Sequence, residues 1–72
     1  MFKIIYTDHS LRRLNERAIS KKQIKSAILE GEKEDTTGEL RKSTQRNKDG
    51  ALVVIYRIQS VAEIVIITAY RV

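Results

Sequence analysis

His9, Arg13 and Arg17 stand at four-residue intervals within the stretch HSLRRLNERAIS. Four residues carry an α-helix about 40° past a full turn, so on a helix the three side chains share one stripe. An imidazole titrates near neutrality, at about 6.5 when unperturbed, and can take or give a proton at physiological pH. Guanidinium groups stay charged and present forks that match phosphate oxygens. Together they suit phosphate: such a surface could bind RNA or DNA, and with the histidine as acid or base it could cut RNA without a metal. That reaction removes the 2′-hydroxyl proton, neutralises charge building on the phosphate and protonates the leaving 5′-oxygen. Its products are a 2′,3′-cyclic phosphate and a 5′-hydroxyl. A helix N-terminus and a neighbouring cation both favour the neutral, base-competent imidazole. Without a substrate the same residues are a solvated basic face. Glu16, four residues after Arg12, is within helical pairing reach of that cation.

A second group lies towards the C-terminus. Thr68 and Tyr70 end one face of an apolar terminal segment, and Tyr70 can stack on a base or place its hydroxyl on phosphate. Lys42 and Arg46 alternate with Leu40 and Thr44 on a weaker strand, and with Arg57 they extend a positive track for an RNA backbone. Basic residues on a strand edge also prevent edge-to-edge association, which is an equally good account of them. Glu63, the one acid of the last strand, reads as solvated at a hairpin end. Ser10 merely neighbours His9 and makes no nucleophilic pair. A single histidine with no cysteine gives no recognisable zinc site, and the three glycines are isolated at turns. No cofactor is expected.

The elements that must position these residues follow from the pattern. FKIIY, Phe2–Tyr6, reads as a strand. Thr7 or Asp8 caps a first helix running to about Ala18, with Leu11, Leu14 and Ala18 facing the core. Ser20-x-x-Gln23 is a capping box opening a second helix that Gly31 ends, with Ile19 as hydrophobic staple on Ile24. Ile24, Ala27 and Ile28 make its apolar stripe. Glu30–Gly38 reads as a polar loop. Three antiparallel strands complete the chain: Leu40–Asn47, then Ala51–Ile58 after an Asp49-Gly50 turn, then Ala62–Arg71 after Gln59-Ser60. The order is β-α-α-β-β-β, an α+β domain over 1–72 with two helices on a small antiparallel sheet. Strict alternation puts Ile64, Ile66, Thr68 and Tyr70 on one face of the last strand and Val65, Ile67 and Ala69 on the other. Both faces are apolar, so the one without helices calls for a partner, a second copy, a ligand or its own closure.

At 72 residues with no cysteine, the chain depends on aliphatic packing alone, near the lower limit for an unaided core. No apolar run is long enough to span a bilayer and the first residues do not form a signal peptide, so a cytoplasmic protein is expected. The net charge of +5 favours a polyanion or an acidic protein as partner.

The histidine with arginines four and eight residues on, the second short helix, and the terminal hairpin ending IVIITAY resemble the small proteins grouped as domain of unknown function 4258. That family usually has glycine where this chain has Ala18. It is in turn distantly similar to RelE-type toxins and to the metal-independent ribonucleases that include barnase and colicin nuclease domains. The resemblance implies a RelE-like fold and a translation-inhibiting endoribonuclease, or a relative of one, acting on RNA that can be ribosome-bound messenger and pairing with an antitoxin protein. His9, Arg13, Arg17 and Tyr70 are then the expected catalytic set, with Lys42, Arg46, Arg57 and Thr68 on the RNA. The alternative is a binding module of the same fold for RNA or a protein, without catalysis, or an inactive relative persisting as a homodimer.

Overall fold

In the computed structural model, which describes residues 2–72, the chain is α+β as expected; Met1 lies outside the described residues. The elements are β1 (Lys3–Tyr6), α1 (Asp8–Glu16), α2 (Lys21–Glu30), β2 (Glu32–Asp35), β3 (Leu40–Asn47), β4 (Gly50–Ser60) and β5 (Glu63–Arg71). They form a five-stranded sheet in the order β1-β5-β4-β3-β2. The sheet is mixed, because β1 runs parallel to β5 while the other pairs are antiparallel. Parallel pairing needs a crossover, and α1 with everything after it supplies one.

Four local features differ from the sequence expectation. The segment Glu32–Asp35, expected in a loop, pairs antiparallel with Arg41–Thr44 as a fifth strand. Helix α1 stops at Glu16, two residues before the expected end. The hairpin turns each shift: Asn47 pairs with Gly50 around Lys48 and Asp49, and Ser60 pairs with Glu63 around Val61 and Ala62. Finally, β5 does not alternate strictly. Its register against β4 slips after Ile55, so that Ile55 faces Thr68 but Tyr56 faces Ile66, leaving Ile67 as a β-bulge. A bulge moves every later side chain to the other face. Ile64, Ile66 and Ala69 consequently share the helix side with Leu52, Val54 and Tyr56, whereas Val65, Thr68 and Tyr70 lie on the opposite side with Val53, Ile55 and Arg57.

The core lies between helices and sheet. Leu14, Ile19, Ile24, Ala27 and Ile28 pack against Leu52, Val54, Tyr56, Ile66 and Ala69. The expected stripe of α2 is buried, and Ile19 with Ile24 sits in the same cluster as a staple should. On α1 the expected stripe is narrower. Leu14 is buried, but Leu11 is 37% exposed, and the fully buried Ser10 takes its place on the inner face. The expected α2 capping box is formed, with Gln23 N donating to Ser20 Oγ and Ser20 N to Gln23 Oε1. Among the described residues no element lies over the helix-free sheet face, yet Val53 and Val65 are buried there. Half-buried neighbours, among them Ile5, Ile55, Lys42 and Arg57, close over them. Among the described residues, no helix is long and apolar enough to cross a membrane.

Candidate functional site: a cationic seam along helix α1 and strand β5

The start of α1 fixes His9. Thr7 is the N-cap; its Oγ1 accepts from Ser10 N at 3.0 Å, and its own N–H donates to Ser10 Oγ at 2.9 Å. Ser10 Oγ also donates to the Thr7 carbonyl at 2.9 Å. The serine beside His9 is thus fully used as a cap, as its burial requires. His9 stands in the first helical turn, exposed, and none of the hydrogen bonds among the described residues involves its ring. One turn on, Arg13 Nη1 lies 3.2 Å from Glu16 Oε1. The acid expected to pair with Arg12 therefore pairs with Arg13, three residues away instead of four. Both partners are largely exposed, so the pair contributes little and yields easily to a phosphate.

Helix α1 ends in a Schellman motif. Ala18 N donates to the Asn15 carbonyl and Ile19 N to the Leu14 carbonyl, with Ala18 at φ +54°. This left-handed position suits glycine best, and here an alanine occupies it. The motif turns the chain so that Arg17 reaches the edge of β5 beyond the end of β1. There Arg17 Nη1 donates to the Ala69 carbonyl at 2.7 Å and to Thr68 Oγ1 at 3.3 Å. The contact returns in the other direction. Arg71 Nη1 donates to the Arg17 carbonyl at 2.6 Å, and its Nη2 to the Ala18 carbonyl at 3.1 Å. A cation on the last carbonyls of a helix also suits its dipole. Two reciprocal arginines thus bolt the end of α1 to β5.

The structure brings together part of the expected site. His9 and Arg13 stand on α1, whereas Arg17, expected on the same helix, is its C-cap just past the last helical residue and touches Thr68. Tyr70, 36% exposed, is on the helix-free face with Thr68, displaced from its expected company with Ile64 and Ile66 by the bulge. Lys42, Arg46 and Arg57 share that helix-free face, since they pair with Ile55, Ala51 and Val65. Lys42 Nζ lies 3.4 Å from Glu34 Oε1 of β2, while Arg57 reaches Gln59 at 3.5 Å. Arg46 is exposed and takes part in no hydrogen bond or ion pair among the described residues. Glu63, expected to be solvated at the hairpin end, is half-buried there and accepts from Ser60 Oγ. Arg71 is the residue the sequence reading missed. Its role depends on the bulge, which brings it to the helix side opposite Leu52, and nothing in IVIITAYR marks that.

Tyr6, at the end of β1, packs partly against the core with Lys21 Nζ 5.0 Å from its ring centre. Burial raises its phenol above the ordinary range.

Residues 6–71 match the model of the family described as domain of unknown function (DUF4258), and the chain belongs to that family. No curated protein and no solved structure matched the chain.

Proposed function

We propose that this member of the family acts on RNA in the cytoplasm as a toxin-like, metal-independent endoribonuclease. The observation that carries the reading is the locked position of Arg17. A guanidinium held by the Ala69 carbonyl and Thr68 Oγ1 keeps its place without substrate, so its remaining N–H groups and the neighbouring stripe are oriented in advance. Arg13, released from Glu16, and Arg17 clamp the scissile phosphate. His9 moves the proton, taking it from the 2′-hydroxyl and returning it to the 5′-oxygen. Thr68 positions Arg17, and Tyr70, Lys42, Arg46 and Arg57 carry flanking RNA along the helix-free face. An acidic protein segment laid on the same cations would act as the antitoxin.

A second reading has its own support. A histidine base is ordinarily oriented by a third group, and His9 has none among the described residues; Tyr70 also stands on the face away from the helices. These two features fit a module that binds RNA, or an acidic protein, without cutting it. Cleavage of messenger RNA by the wild type, His9→Ala and Arg13→Ala proteins, with chelator present and product ends mapped, separates the two. Cyclic phosphate ends lost in both variants support the nuclease. Salt-sensitive RNA binding with intact RNA supports the module.

A further inference from the structure

A groove between the first turns of α2 and the β3–β4 hairpin encloses about 470 Å³, within the range of small-ligand sites. Three primary amides line it, and each has a hydrogen-bonding group that pairs with nothing among the described residues. Gln23 Oε1 is occupied by the Ser20 N–H, so its Nε2 is available as donor. Asn47 Oδ1 accepts from Asp49 N, which leaves Nδ2 as a second donor. Gln45 Nε2 donates to Ser26 Oγ and Glu30 Oε2, which leaves Oε1 as an acceptor. Arg46, which stands on the helix-free face of β3 and takes part in no hydrogen bond or ion pair among the described residues, also borders the groove. Leu52 and Ala51 supply an apolar wall.

Two amide donors, one amide acceptor and an apolar wall form a set suited to the edge and face of a nucleobase, and the adjacent guanidinium suits its phosphate. The groove also adjoins the seam. Arg71 borders it and at the same time holds the Arg17 and Ala18 carbonyls. A strand whose phosphate rests on Arg17 would meet the groove on the far side of the Arg71 side chain. We infer that this groove is a subsite for one unpaired nucleotide of the RNA, with Gln23, Gln45 and Asn47 on the base and Arg46 on its phosphate. The inference rests on the RNA reading above and adds to it the part of the molecule that selects the base.

The test is a ¹⁵N NMR titration of the full chain with a short 2′-O-methyl RNA, which cannot be cut, and separately with each of the four nucleoside monophosphates. The expected result is saturable movement of the Gln23, Gln45 and Asn47 side-chain amide signals with the oligonucleotide. Arg46→Gln should weaken that binding about 5- to 10-fold and lower the salt slope by about 1. Asn47→Ala should change the order of preference among the monophosphates while the backbone spectrum keeps its dispersion. Oligonucleotide shifts confined to α1, with Arg46→Gln neutral, overturn the groove and leave the RNA reading standing. No oligonucleotide binding sinks the RNA reading; the groove then stands if the monophosphates still move the three amides, and falls if they do not.

Discussion

Ala18 holds φ +54° at the end of α1, where an L side chain crowds the following carbonyl. Ala18→Gly should therefore raise stability by about 1 kcal/mol, read as a higher urea midpoint at unchanged slope. The same turn carries the bolt between Arg17 and Arg71. Removing the Arg71 guanidinium exposes the Arg17 and Ala18 carbonyls to water, which takes over their bonds, so Arg71→Ala should cost only about 1 kcal/mol. Its larger effect should be loss of the fixed Arg17 position. Tyr56 offers a pH readout. Burial holds its phenol above the ordinary value of about 10, with Arg41 pulling it down and Asp35 pushing it up. The unfolded chain ionises first, so this contribution is complete below about pH 10 and is lost as pH rises through the folded value. Denaturation at increasing alkaline pH should show the fall, and Tyr56→Phe should flatten it.

At the scale of elements, the signals that were legible are those with local physical causes. Ser20 and Gln23 close a capping box within four residues of sequence, and the α2 stripe recurs at helical spacing. Gly31 was legible as a stop but for a different reason than its conformation. Its φ is ordinary, and the constraint is space: a Cβ there would lie 2.5 Å from both the Ala27 carbonyl oxygen and Ser43 Oγ. Ser43 is itself fully buried, donating to that carbonyl at 2.6 Å. Gly31→Ala should then cost about 2 kcal/mol by forcing α2 away from β3, measurable as a lowered thermal midpoint. Strand β2 was not legible, because EKED has no apolar period. Cross-strand charge pairs, Glu34 with Lys42 and Asp35 with Arg41, hold it instead. The bulge at Ile67 was equally silent. It contains no glycine, and an isoleucine fits either face, so the correct faces of Thr68 and Tyr70 could come only from the pairing with β4.

For the whole molecule, the α+β class was readable from residue types and spacing and the family from its resemblance, whereas the way α1 and its C-cap Arg17 meet the sheet was not. That meeting depends on parallel pairing of β1 with β5, a relation between the two ends of the chain. It leaves the far edge of β5 open at Ala69, where Arg17 fits. Charge acts at this scale too. A net +5 spread over α1, α2 and the helix-free face predicts RNA affinity that falls steeply with salt, with a log–log slope of several units. The core is small, so Ile24→Ala, at a fully buried site, should cost about 3 kcal/mol and remove much of the folded population. The central claim is that the α1 stripe cuts RNA without a metal. Its most direct measurement is end-mapped cleavage of messenger RNA in a chelated cell-free translation reaction, comparing wild type with His9→Ala and Arg17→Ala. The account predicts discrete cuts bearing 2′,3′-cyclic phosphates, abolished by His9→Ala and strongly reduced by Arg17→Ala. Intact RNA and unimpaired translation at micromolar wild-type protein would contradict it.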